Sequence, residues 1–73
     1  MNLNPIQTNL NEVITDGMII LFSYKTPVAV RIGHNEYYRT STKWSQTTSR
    51  HINKWLDGVI ATEKDQSYFD SLI

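Results

Sequence analysis

Five consecutive residues, Thr47-Thr48-Ser49-Arg50-His51, bring together hydroxyls, a guanidinium and an imidazole. If a helix opens here, its free backbone N–H groups, the hydroxyls and Arg50 converge on its N-terminus, a geometry that holds phosphate or carboxylate. The five residues are therefore a candidate anion site. They also suit a plainer role, a capped helix whose hydroxyls satisfy only the backbone. An Arg and a His in a first helical turn oppose the helix dipole, which favours an anion nearby. His51 is the side-chain type that serves as an acid–base group near neutral pH. No carboxylate lies at a spacing that would complete a triad with it. Ser45, Ser49 and Asp57 beside His51 invite a hydrolase reading, but the Gly-x-Ser-x-Gly elbow is absent. So are a Gly-rich phosphate loop and a paired-carboxylate motif. With His34 the only other histidine and no cysteine, no spacing supplies the three or four ligands of a zinc site. The chain reads as non-enzymatic, without metal or cofactor.

Charge is distributed unevenly. Six of the seven Lys and Arg residues (Lys25, Arg31, Arg39, Lys43, Arg50, Lys54) fall in the middle third, against a single acid there, Glu36. A formal net charge of zero thus hides a basic centre between acidic flanks. Arg31, Arg39, Lys43, Arg50 and Lys54, with Trp44 as an aromatic anchor, form the candidate macromolecule-binding set. Tyr37-Tyr38-Arg39 looks like a stacking platform for single-stranded nucleic acid. Adjacent strand residues point to opposite faces, however, so the two rings cannot serve one platform. Trp55 reads as core, while Trp44 reads equally as a plug on the sheet edge or an exposed contact.

Several elements must position these groups. Residues 1–11, Asn-rich with one Pro, read as an irregular arm, and Glu12–Thr15 as a short strand. Asp16-Gly17 marks a tight type I′ hairpin turn. The apolar run Met18–Tyr24 suits a strand buried on both faces. After a break at Lys25-Thr26-Pro27, the alternation from Val28 predicts Val28, Val30 and Ile32 on one face and Ala29 and Arg31 on the other. Gly33-His34-Asn35 is a turn and Glu36–Thr40 a further strand. Thr47 or Thr48 caps a helix whose apolar face is Ile52, Trp55 and Leu56, with Gly58 at its end. Thr62 caps a second helix with Glu63 and Asp65 in its first turn and Tyr68, Phe69 and Leu72 as its apolar face. Strands followed by helices predict one α+β domain over 1–73: a small antiparallel sheet of three to four strands packed on one face by one or two C-terminal helices.

The string Leu21-Phe22-Ser23-Tyr24-Lys25-Thr26-Pro27-Val28-Ala29, a Gly turn, Tyr37-Tyr38, then Lys43-Trp44-Ser45-Gln46-Thr47-Thr48-Ser49-Arg50-His51 resembles a pattern in short phage and prophage proteins. That pattern is a Ser-Tyr-x-Thr-Pro-Val-Ala strand pair followed by Ser-x-Thr-Thr-Ser-x-His opening a helix. It covers residues 21–56 and brings no established chemistry with it. The resemblance implies a viral accessory protein acting in the host cell cytoplasm. Within it, Ser23, Thr26, Thr48 and His51 read either as a hydrogen-bond network joining strand to helix or as a site.

At 73 residues the chain has a thin stability margin. The absence of cysteine favours a reducing compartment. No apolar run approaches the roughly 20 residues of a membrane span, and the N-terminus lacks a signal-peptide pattern and reads as a whole gene product. The leading expectation is a non-enzymatic binding protein that engages a host or viral macromolecule, in the manner of an inhibitor. Direct DNA or RNA binding through the basic centre is the alternative, although a pI near 6.7 is low for that role. A small enzyme or nucleotide sponge that holds a phosphate at the helix start Thr47 to Arg50, and a virion component, are further options, and an unpaired sheet edge offers a homodimer seam.

Overall fold

The computed structural model describes the backbone of residues 2–7 and 10–72 and the side chains of residues 10–72. Six strands form one sheet in chain order: β1 (Asn2–Gln7), β2 (Leu10–Thr15), β3 (Met18–Ser23), β4 (Thr26–Ile32), β5 (Glu36–Thr40) and β6 (Thr62–Lys64). Helix α1 (Gln46–Leu56) lies between β5 and β6, and α2 (Gln66–Asp70) follows β6. The first five strands make an antiparallel meander, and β6 joins β5 in parallel. The α+β class agrees with the sequence, but the sheet is larger than three to four strands and is mixed.

The hairpin at Asp16-Gly17 has positive φ at both positions, 47° and 77°. This is the type I′ requirement that the Asp-Gly pair meets. It sets β3 between β2 and β4, and the continuous apolar run buries both faces of β3: Ile20 and Leu21 are each wholly inaccessible. The N-terminal segment is not an irregular arm through residue 11. Asn2–Gln7 pairs with β2, and Leu10 already begins β2. Pro5 is tolerated because β1 is a sheet edge, where a missing N–H need not interrupt an internal ladder. Residues 1, 8 and 9 lie outside the described residues.

Strand β4 departs from simple alternation. Leu21 pairs with Ala29 but Phe22 pairs with Pro27, so Val28 is an extra residue in the ladder. A bulge of this kind turns two neighbours toward one side. Val28 therefore packs with Ala29 rather than with Val30.

The apolar residues divide into two half-cores on opposite faces. Leu10, Leu21, Val28 and Ala29 meet Ile52 and Leu56 of α1. Ile20 and Val30 meet Phe69 of α2, with Tyr38 and Tyr68 packed around them. The helices thus cover both faces, not one. Tyr37 and Tyr38 follow the same split: Tyr37 sits edge-on to Trp55 at 6.1 Å, and Tyr38 lies 5.8 Å from Tyr68.

The second helix starts later than its sequence suggests. Thr62–Lys64, expected as its cap and first turn, is captured as β6, with Tyr38 opposite Thr62 and Thr40 opposite Lys64. A parallel neighbour requires a crossover connection, and the segment containing α1 provides it. Asp65 caps the short α2 without a side-chain hydrogen bond. Gln66 fixes α2 in its place. Its Oε1 accepts from Thr40 Oγ1 (2.9 Å) and Trp44 Nε1 (3.1 Å), and its Nε2 donates to the Pro27 carbonyl (2.8 Å) and Asp70 Oδ1 (3.1 Å). All four hydrogen-bonding positions of the amide are used.

Phe69→Ala should remove about 3–5 kcal/mol, the usual cost of emptying a buried aromatic site. Ile60→Ala, at a position 95% exposed, should stay within about 0.5 kcal/mol of the parent. Urea unfolding followed by circular dichroism measures both, and equal effects would contradict the packing of α2.

Candidate functional site

The start of α1 is set by Ser45, not by Thr47 or Thr48. Ser45 is extended, at φ −160° and ψ 167°, and its Oγ accepts from the Thr48 N–H at 3.1 Å, which satisfies one of the helix's orphan donors. Starting the helix one residue after Ser45 fixes the face on which every later residue lies. Thr48, His51, Ile52 and Leu56 turn toward the sheet and are buried, whereas Thr47, Arg50, Asn53 and Lys54 are exposed. At the other end Asp57 (φ 49°) and Gly58 (φ 85°) occupy left-handed backbone and end the helix.

The half of α1 nearest its N-terminus is held by polar contacts. Ser23 Oγ lies 3.1 Å from Thr48 Oγ1 and 3.0 Å from His51 Nδ1, and Ser45 Oγ donates to Thr48 Oγ1 at 3.3 Å. Running the chain Ser45 to Thr48 to Ser23 to His51 gives every hydroxyl proton an acceptor. The reverse direction, from His51 Nδ1–H to Ser23 to Thr48, fits the same distances. The network joining strand to helix is therefore present and includes Ser23, Thr48 and His51. Thr26 instead pairs with Ser23 across the β3–β4 ladder. The other half of α1 is held by Ile52 and Leu56 and by Trp55, whose Nε1 donates to Glu12 Oε2 at 2.6 Å. Trp55 is half-buried.

The candidate anion site does not survive as one constellation. Thr48 and His51 are spent beneath the helix, Thr47 is exposed, and only Ser49 and Arg50 line the open groove beside α1. That groove encloses about 520 Å³, and its remaining walls are Lys43, Trp44, Ser45, Gln46 and Asn53. No acid lines it. Trp44 is 50% exposed while its N–H is held by Gln66, so it is both anchored to the fold and available as a contact.

The other basic residues are placed differently. Arg39, on the α1 face of β5, donates from Nη1 to Asn53 Oδ1 at 3.2 Å. Lys54 lies on the exposed surface of α1. Arg31 is directly opposite Ile19 and Tyr37, lines neither groove beside α1, and its Nε is enclosed without a hydrogen-bond partner among the described residues. Of the residues predicted from sequence, the groove beside α1 gathers Lys43, Trp44 and Arg50, with Arg39 at its border.

Sequence reasoning missed Gln46, Asn53 and Gln66. Gln46, Ser49 and Asn53 follow helical spacing and could have been grouped once Ser45 was taken as the cap. Nothing local marks Gln66, whose partners are remote in the chain. On the opposite face of the sheet, the Glu36 charge pushes the Tyr38 phenol above its ordinary value, and Lys64 Nζ lies 5.5 Å from the Tyr38 ring centre.

A family model described as a family of unknown function, DUF8033, matches residues 1–71. The chain belongs to that family. This match spans both flanks as well as the 21–56 pattern, so in the DUF8033 chain the N-terminal strands and α2 are part of the family's unit. No curated protein and no solved structure matches the chain. Among the described residues no helix is long and apolar enough to cross a membrane, and no cluster of three or more His, Asp or Glu is arranged to hold a metal.

Ser45→Ala should cost about 1 kcal/mol through loss of the cap, and Ser23→Ala about 1–3 kcal/mol because Thr48 and His51 lose a buried partner. Thr47→Ala should be neutral within about 0.5 kcal/mol. Chemical denaturation orders the three variants. Imidazole ¹⁵N shifts should show one preferred tautomer of His51 in the parent and lose that preference in Ser23→Ala.

Proposed function

We propose that this chain is a non-enzymatic binding protein that engages a macromolecule of a phage or of its host, acting inside the host cell by occupying a surface in the manner of an inhibitor. The observation that carries this reading is the groove beside α1, where Lys43, Trp44 and Arg50 converge without an acid in the lining. A half-exposed indole supplies a large rigid contact at low entropic cost, and flanking cations steer an acidic partner into place. The buried polar residues support the same reading, because their hydroxyls are spent on holding the groove-bearing helix rather than facing a cleft.

Direct DNA or RNA binding is the second reading. It is favoured by the juxtaposition of Trp44 with Lys43 and Arg50, the stacking-plus-cation pairing used on single strands.

Charge reversal tests the proposal. Lys43→Glu and Arg50→Glu should each weaken capture of the partner recovered from host lysate, and the effect should shrink as salt is raised. Nuclease treatment should leave a protein partner in place. For the nucleic-acid reading, log affinity for a fluorescent oligonucleotide should fall with log salt at a slope of about −0.7 per neutralised phosphate, hence about −1.4 for contacts from Lys43 and Arg50. Recovery that is indifferent to both reversals would overturn the groove as the binding surface.

A further inference from the structure

We infer that the basic groove is one half of a longer trough along α1, and that the trough takes an extended protein segment carrying both carboxylates and apolar side chains. This inference rests on the binding-protein reading above and specifies its partner.

The trough follows from helix geometry. Gln46, Ser49, Asn53 and Leu56 recur at intervals of three and four, so they form a single stripe down one flank of α1. The basic groove lies along the first part of this stripe. A second groove of about 510 Å³ lies along the rest, and Asn53 lines both. The stripe runs the length of α1, eleven residues and hence about 16 Å. An extended chain of about five residues, at roughly 3.3 Å each, matches that length.

The two halves differ chemically, and the difference selects the occupant. One half offers Lys43, Trp44 and Arg50. The other is walled by Leu56, Val59, Ile60 and Ala61, with Glu63 beside them. Ile60 is 95% exposed and Val59 41% exposed, an apolar pair held in water where a partner's side chain would cover it. Arg39 stands at the junction. It gives Nη1 to Asn53 and lines the second groove. Its guanidinium charge attracts a carboxylate to that junction. A phosphate backbone would match Lys43 and Arg50, but it gains nothing from the aliphatic wall and is repelled by Glu63. A peptide with an acid at the Arg39–Arg50 region and an aliphatic or aromatic residue over Ile60 satisfies both halves.

The test uses the full-length chain and two probes: an array of fluorescein-labelled nine-residue peptides combining Asp or Glu with Leu or Phe in a Gly-Ser background, and a labelled oligo-dT. Anisotropy gives affinity, and ¹H–¹⁵N spectra locate the contact. Peptides bearing both residue types should bind at least about tenfold more tightly than those bearing one. They should shift the amides of Arg39, Trp44, Ser49, Asn53 and Ile60. Ile60→Asp, at a position with no packing role, should weaken the best peptide about tenfold, and Arg50→Glu should do the same. Absence of binding by every peptide overturns the inference. If oligo-dT alone binds and shifts only the Lys43–Trp44–Arg50 end, the inference falls while the groove remains a binding surface. If neither probe moves the groove amides, the inference also falls, and the broader reading then stands or falls on the lysate partner's response to Lys43→Glu and Arg50→Glu.

Discussion

The rotation of α1 about its own axis is the constraint on which the rest depends, and hydrogen bonds set it. The apolar residues that press α1 onto the sheet, Ile52, Trp55 and Leu56, all lie in its C-terminal half. Apolar contact is non-directional, so by itself it tolerates a range of rotations, which the hydrogen bond from Trp55 to Glu12 narrows at that end. Ser23 narrows it further at the other end by holding Thr48 Oγ1 and His51 Nδ1 together from one side. With those two residues fixed beneath the helix, Ser49 and Arg50 must face the groove. A roll of one residue, 100° in a 3.6-residue helix, would bring Arg50 toward the sheet and dissolve the basic surface.

The two half-cores show how so short a chain finds enough to bury. A sheet covered on one side only would leave Ile20, Val30 and Tyr38 facing water. Placing α2 on that side closes the second face with a short helix, because Phe69 is buried there with Tyr68 and Leu72 packed beside it and Gln66 does the positioning. The bulge at Val28 serves the opposite face, where it adds a second β4 side chain beneath α1. Gln66 also accepts from Trp44, which ties the loop before α1 to α2 and couples the groove wall to the second half-core.

Electrostatics and packing combine in the trough. Zero net charge keeps long-range attraction weak, so recognition depends on where charges sit rather than on their sum. The cations that line it come from a loop and a helix, Arg39 reaches in from a strand, and the aliphatic wall comes from the connection into β6. A surface assembled this way reads a partner by the order of its charged and apolar groups.

Local chemistry in the sequence determined a good deal. Asp16-Gly17 specifies its turn, since few other pairs accept two positive φ angles. The uninterrupted run from Met18 specifies a central strand, since no amphipathic element could bury it. Period-two geometry alone separates Tyr37 from Tyr38, and helical spacing places Ile52, Trp55 and Leu56 together. The tertiary structure decided the rest. Thr62–Lys64 is short, polar and exposed, and becomes a strand only because β5 offers an unpaired edge; its helix-start signals lose to that pairing. Which face each helix covers depends on the path of the crossover and on the competition between two apolar surfaces. Asn53 beside Arg39, and Gln66 beside Trp44, are meetings of residues 14 and 22 positions apart. Periodicity and propensity describe neighbours along the chain, whereas such contacts exist only after the sheet has closed the distance, and the groove is made of them.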